Sequence, residues 1–182
     1  MDFNPINIKL KNGESAKIRM ISPSDALEMI NYLQTISRET DAMLRYPEEF
    51  TLKEEDNFKR YTAVCESSNT IELVMTLNGK IIGHCGLRPI FEVKKCIHRC
   101  SFGISVLKSH WGKGVGYNLL KALILKAVEI GYEQIELDVV SDNTSAIGLY
   151  KKFGFKEYGH LPNAFKLKDG SYQDLRLMYK RL

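Results

Sequence analysis

The spacing of apolar residues changes repeatedly along this chain, and each change marks an element. Lys17-Ile18-Arg19-Met20-Ile21 alternates with the two-residue period of a strand. Ser22-Pro23-Ser24-Asp25 then offers an N-cap, and Ala26 to Ile36 carries apolar residues at helical spacing. Arg38 to Phe50 is polar, contains Pro47, and reads as a loop or broken helix. Thr51, with Glu54 three residues on, matches a capping box for a second helix reaching about Cys65. Ile71 to Leu77 and Lys80 to Pro89 read as two strands joined at Asn78-Gly79, a strong hairpin turn. Cys96 to Val106 follows as a strand that alternates in its second half.

The second half of the chain is equally patterned. Val115, Leu119, Leu123, Ala127 and Ile130 form one face of a long helix that Gly131 ends. Gln134 to Val140 is an alternating strand, Asn143 caps a helix through Phe153, and Gly154 stops it. Phe155 to Tyr158 and Ser171 to Tyr179 read as the last strands, with Leu161 to Gly170 as a long loop between them. This order of strands and helices predicts an α/β domain with a mixed sheet.

Composition narrows the function classes. At 182 residues, with 44% hydrophobic and 26% charged, the chain suits one domain over 1–182 that needs no disulfide or structural metal. The formal charge of +4 is spread without a long basic run, which argues against a nucleic-acid partner. No stretch approaches the length of a membrane span, and Met1 to Asn12 lacks the apolar core of a signal peptide. A cytoplasmic setting with Cys65, Cys85, Cys96 and Cys100 reduced is therefore expected.

The most informative segment is Val106-Leu-Lys-Ser-His-Trp111-Gly112-Lys113-Gly114-Val115-Gly116-Tyr117. A strand ends, three alternating glycines follow, and a helix begins. Glycine lets a ligand approach the backbone, and a helix start offers unpaired N–H groups with a partial positive charge. Together these make a site for a pyrophosphate. A P-loop is excluded because Leu107 stands where its first glycine belongs and Gly114 where Ser or Thr is needed. A dinucleotide fingerprint is excluded because Tyr117 or Leu119 occupies the sixth place.

What fits is the coenzyme A signature Gln/Arg-x-x-Gly-x-Gly/Ala: Trp111-Gly112-Lys113-Gly114-Val115-Gly116 resembles that of GNAT acetyltransferases, with Trp111 in place of Gln or Arg. A later block, Asn143 to Phe155, resembles the family's Asn-x-x-Ala-x-x-x-Tyr-x-x-x-Gly-Phe, with Asn143, Ala146, Tyr150, Gly154 and Phe155 in register. The close resemblance covers about Ser101 to Phe155, the expected coenzyme-binding core. It implies a mixed, largely antiparallel six- to seven-stranded sheet with helices on both faces, splayed between the fourth and fifth strands. It also implies an acetyl-CoA-dependent N-acetyltransferase. Acetyl-CoA would be held by Ile104, Ser105 and Val106, by Trp111 to Gly116, including Lys113 and Val115, and by Asn143 and Ala146. The pantetheine arm would bond to the open strand edge at Ile104 and Val106.

The implied chemistry is direct attack of an amine on the thioester. An ammonium with a pKa near ~10.4 must first lose a proton. The resemblance makes Tyr150 the acid that protonates the leaving thiolate; as a bare pattern, its stripe with Ala146 and Phe153 favours a core aromatic instead. Asp138, on the strand face of Glu136, is the candidate base, with an exposed carboxylate or a salt-bridge partner as its plain alternative. Ser101 stands where many relatives carry a basic Glu, so a water chain stays open as well. His84 and His110 read as turn or surface histidines, and Cys85 as a buried thiol. Cys96, His98 and Cys100 alternate but lack a fourth metal ligand, so no metal is expected. Glu39, Asp41, Glu48 and Glu49 suggest a cationic acceptor or a merely solvated loop. The acceptor is expected to be a small amine or a peptide N-terminus. Leu161 to Gly170 either covers it or joins a second copy in a homodimer. A non-catalytic acyl-CoA-binding or sensor domain is the competing reading.

Overall fold

The computed structural model describes residues 2–51 and 53–182. Its strands are β1 (Ile6–Lys9), β2 (Ser15–Met20), β3 (Ile71–Leu77), β4 (Lys80–Pro89), β5 (Arg99–Val106), β6 (Gln134–Val140), β7 (Lys156–Lys166) and β8 (Tyr172–Arg181). Its helices are α1 (Ala26–Glu39), α2 (Glu54–Glu66), α3 (Val115–Ile130) and α4 (Thr144–Lys152). One sheet runs in the order β1-β2-β3-β4-β5-β6-β8-β7. Every neighbouring pair is antiparallel except β5–β6.

Alternation within the strands sorts the core into two layers. Ile71, Leu73 and Met75 of β3 pack with Leu119, Leu120, Leu123 and Ala127 of α3, and with Ile147 and Tyr150 of α4. Val74, between them, faces the other way and packs with Met29, Tyr32 and Ile36 of α1 and Tyr61 and Val64 of α2. Helices therefore cover both faces of a mixed, mostly antiparallel sheet, as the resemblance implied.

Several boundaries differ from the sequence reading. The sheet has eight strands among the described residues, because Ile6–Lys9 adds an edge strand too short to show a period. The segment read as a long loop from Leu161 to Gly170 continues β7 to Lys166 and leaves a tight turn. That strand is largely exposed, so it lacks the alternation that identifies half-buried strands. α2 begins at Glu54 rather than at Thr51, and the N–H of Lys53 donates to Asp56 Oδ2 at 3.3 Å. β5 starts at Arg99, and Cys96 lies in the turn before it, where its N–H bonds Val93 C=O. Cys96, His98 and Cys100 therefore do not line one strand face. Among the described residues no group of His, Cys, Asp or Glu could hold a metal ion.

Two local features set the helices that border the site. The N–H of Ser22 donates to Asp25 Oδ2 at 2.8 Å, and Arg19 grips both oxygens of Asp25 at 2.6 and 2.7 Å, fixing the entry to α1. On the opposite face, α3 approaches β4 so closely that a Cβ on Gly83 would stand 2.7 Å from Val115 Cγ1 and 2.9 Å from Leu119 Cδ1.

Gly83→Ala should therefore push the start of α3 off the sheet and lower stability by about 1–3 kcal/mol, measured by urea unfolding. The Asp25 carboxyl is subject to burial, which raises its pKa. The bonds from Arg19 and the Ser22 N–H outweigh that and hold it below the usual carboxylate range. Its stabilisation is thus present above the unfolded pKa of ~3.9 and is lost as pH falls through the lower folded value. Asp25→Asn should be less stable than the parent by about 1–2 kcal/mol at pH 7. The gap should close in unfolding curves taken below about pH 3.

Candidate active site

The site begins where two strands part. β5 and β6 pair only at Arg99↔Gln134, Cys100↔Ile135 and Ser101↔Glu136, although β5 continues to Val106 and β6 to Val140. The backbone direction of β5 follows from its bonds to β4. Ile90 N–H reaches Arg99 C=O at 3.3 Å, and Leu107 N–H reaches Ile82 C=O at 3.1 Å. Odd-numbered residues of β5 therefore serve β4, and the even-numbered ones turn toward β6. Phe102, Ile104 and Val106 thus present their amide groups to a gap that β6 no longer fills. Ser105 is turned the other way, and its carbonyl and hydroxyl lie 2.9 and 3.1 Å from the Tyr32 hydroxyl.

The glycine turn lies at the end of β5. Gly112 and Gly114 have φ of +73° and +91°, a left-handed conformation that glycine adopts without strain. The first bond closing α3 runs from Asn118 N–H to Gly114 C=O at 3.1 Å, which leaves the amides of Val115, Gly116 and Tyr117 as the open helix start. The hairpin between β1 and β2 braces this turn: Lys11 N–H donates to Lys113 C=O at 3.1 Å, and Lys113 Nζ lies 4.0 Å from Glu14. Trp111 is half-exposed, and its indole N–H donates to Val106 C=O at 2.7 Å. The side chain at the signature's unusual position thus ties the turn to the strand end. Sequence reading missed both this tie and the brace.

α4 closes the α3 side of the gap. Asn143 accepts from Ala146 N–H at 3.1 Å, capping the helix as its sequence suggested. Tyr150 is buried against Phe102, edge to face at 5.6 Å between centroids, and against Phe155 at 5.9 Å. Phe102 directly follows the last paired residue of β5, so Tyr150 reaches the gap at its apex. Burial alone pushes its phenol pKa above the ordinary value. It is therefore a protonated phenol stacked among core aromatics.

The α1 side of the gap is more polar. Asp138 is exposed on β6, and burial of its surroundings and the charge of Glu136 raise its carboxyl pKa. Glu136 is held by Arg99 at 2.6 and 2.8 Å. On the neighbouring strands, Glu72 is nearly fully buried. It accepts from Arg60 of α2 and lies 3.0 Å from His84 Nε2. His84, read from sequence as a turn or surface histidine, is therefore a mid-strand group held by a buried carboxylate. Only the long-range pairing of β3 with β4 reveals this. Cys85 is buried on the other face, and burial pushes its thiol well up, as a buried thiol rather than a nucleophile requires. His110 lies at the exposed 3-10 turn before Trp111.

The loop after α1 meets the β7–β8 hairpin over a cavity of about 210 Å³, lined by Ser37, Thr40, Asp41, Tyr46, Phe165 and Leu167 among others. Lys168 joins the two: its ammonium pairs with Glu48 and sits 4.3 Å from the Tyr46 ring centroid, and its N–H donates to Tyr46 Oη at 3.1 Å. Glu39 accepts from Lys108 N–H and Glu49 from Tyr46 N–H, each at 2.7 Å. Three of the four acidic residues noted in this stretch are thus committed within the protein, and Asp41 lines the cavity.

Comparison with known proteins follows this geometry. A sequence profile of the acetyltransferase (GNAT) family matches residues 33–155. Spermidine N(1)-acetyltransferase of Vibrio cholerae is 34% identical over 52% of this chain and 54% of its own length. L-amino acid N-acetyltransferase of Escherichia coli is 32% identical over 59% and 65% respectively. The chain thus spans between about half and two thirds of the length of these two relatives. The crystal structure of a GNAT-family acetyltransferase from Streptococcus pneumoniae superposes with a TM-score of 0.87 at 30% identity, over 92% of this chain and 99% of that one. An acetyltransferase from Salmonella typhimurium, solved with its cofactor acetyl-CoA, shares the fold at a TM-score of 0.79 and 23% identity, over 92% of this chain and 94% of that one. With the profile covering about two thirds of its length, over the very turn and helix that frame the gap, this chain belongs to the GNAT acetyltransferase family.

Proposed function

We propose that the protein transfers an acetyl group from acetyl-CoA to a primary amine by direct attack within a ternary complex. The observation that carries this reading is the parting of β5 from β6 after Ser101/Glu136, with a left-handed glycine turn at one end and the Tyr150 phenol at the apex. The named activities of the Vibrio cholerae and Escherichia coli relatives support a small amine or amino acid as acceptor.

The open amides from Gly112 to Gly116 would bind the pyrophosphate of the coenzyme, aided by the partial positive charge at the start of α3. Lys113 adds a cation there. The pantetheine arm would take the place of the missing strand beside Ile104 and Val106, with Ser105 fixed behind them by Tyr32. The Val106 carbonyl is engaged by Trp111, so the arm's bonds fall to the Val106 N–H and the Ile104 amide. Asn143 and Ala146 border the arm from α4.

Chemistry follows from the same parts. An amide N–H of the open β5 edge stabilises the oxyanion that forms as the thioester carbonyl is attacked. Tyr150, kept protonated by burial, donates to the departing thiolate. Asp138 stands on the acceptor face, where its carboxylate draws an ammonium toward the carbonyl. The cavity under the α1–α2 loop admits the rest of the acceptor, and its lining of Asp41 with Arg45 and Lys166 suits a zwitterionic molecule better than a strongly basic one.

Purified protein with acetyl-CoA and a panel of polyamines, amino acids and peptide N-termini should release free thiol with at least one amine. Tyr150→Phe should lower kcat by about 10²-fold or more with acetyl-CoA affinity nearly unchanged in titration calorimetry. Acetyl-CoA binding without thiol release for any amine would favour a sensor over an enzyme.

A further inference from the structure

One buried ion pair on the α1 side of the sheet has more partners than docking requires. Glu72 is nearly fully buried in the centre of the sheet, and the Arg60 guanidinium already neutralises it. Yet a second hydrogen-bonding partner, His84, holds its other oxygen through Nε2 at 3.0 Å. An ion pair built only to dock α2 on the sheet would need no histidine.

The position of His84 explains the pairing. It lies opposite Ser105 in the β4–β5 ladder, one step from Gly103, which pairs with Gly86. These residues share the sheet face that α1 and α2 cover. Gly103 comes two residues after the last contact of β5 with β6, and a Cβ there would meet nothing within 4 Å. The space above Gly103 is thus open at the apex of the gap, across β5 from Tyr150's side. His84 borders that space, with 17% of its side chain exposed. Tyr32 closes it from behind by bonding Ser105.

We propose that His84 is the group that takes the proton from the acceptor amine, with Glu72 as the residue that positions it and Arg60 as the anchor of Glu72. This rests on the acetyl-transfer reading above and names its base. The Glu72 carboxyl is pushed up by burial, but the His84 hydrogen bond and the charges of His84, Arg60 and Arg88 more than offset this, so it is ionised. An ionised Glu72 requires the neutral ring to carry its proton on Nε2, which leaves the Nδ1 lone pair as the acceptor. The ammonium gives one proton to Nδ1, directly or through one water. The freed nitrogen lone pair forms the C–N bond at the thioester carbonyl. The C–S bond breaks, and the thiolate takes the Tyr150 proton. The second ammonium proton leaves the new amide nitrogen and restores the Tyr150 phenol, and His84 releases its proton to solvent. An imidazole suits this task better than the Asp138 carboxylate, since a ring nitrogen is intrinsically a stronger base than a carboxylate.

The titratable and charged groups around the Glu72–His84 pair are Arg60 and Tyr61 of α2 and Arg88 of β4, with Tyr32 of α1 bonded to Ser105, the residue opposite His84. The test is kcat/KM against pH for the parent, His84→Gln, Glu72→Gln and Asp138→Asn, with the best amine of the panel. His84→Gln should lower kcat/KM by about 10²-fold or more and abolish the fall in rate at low pH, with acetyl-CoA affinity unchanged. Glu72→Gln removes the charge that favours the protonated ring, so the acid limb should move to lower pH. A purely structural ion pair would not move it. Asp138→Asn should weaken amine binding and keep the limb. A parental limb in His84→Gln, or its loss in Asp138→Asn instead, overturns the proposal. If His84→Gln does not fold by circular dichroism, the limb in Glu72→Gln decides alone, and an unmoved limb rejects the proposal. Failure of the parent to bind acetyl-CoA in calorimetry would instead reject the underlying acetyl-transfer reading.

Discussion

A parallel ladder that stops after Ser101↔Glu136 is the constraint on which the rest of this structure depends. Two strands that begin as neighbours and then diverge leave the even-numbered amides of β5 facing a gap instead of a partner. Unpaired backbone groups away from water are costly, so such an edge calls for another hydrogen-bonding chain. An extended arm that carries its own amides fits that need. The surrounding elements can be understood as the means of keeping the gap open and filling its ends.

The far end is filled by the turn into α3. Its left-handed glycines point open amides outward, and its position is fixed from three directions. Gly83 lets α3 lie against β4, the β1–β2 hairpin bonds Lys113, and the Trp111 indole bonds Val106. The apex is filled by Phe102 and Tyr150, whose stacking places a phenol where β5 and β6 part. The two sheet faces then divide the work. The α3–α4 face is apolar and holds the Tyr150 phenol, whereas the α1–α2 face carries Asp138, the Glu72–His84 pair and the cavity under the loop after α1.

Much of this was legible in the sequence, and the reasons are local. Alternation in Gln134–Val140, the Asn78-Gly79 turn and the stripe from Val115 to Ile130 each reflect contacts within one element. The glycine turn was legible from its spacing at the end of a strand, and the Asn143 to Phe155 block from its resemblance to the family's motif. What could not be read was either exposed or long-range. β7 lacks alternation because its faces are mostly solvated, and β1 is too short to show a period. Glu72 sits in an apolar run with nothing local to mark its partner. Its pairing with His84 depends on the register of β3 on β4, and its pairing with Arg60 on how α2 docks. Likewise, Glu39, Glu48 and Glu49 looked like an acidic surface because their partners, Lys108, Tyr46 and Lys168, come from elsewhere in the fold or from backbone N–H groups.

The most direct test of the central claim is an amide-resolved NMR titration of the protein with acetyl-CoA. The largest shifts should fall on the N–H groups of Gly112 to Tyr117 and of Ile104 and Val106, with little change in the β1–β2 strands. Saturable binding whose shifts lie outside these segments, or no shift at millimolar coenzyme, would contradict the account.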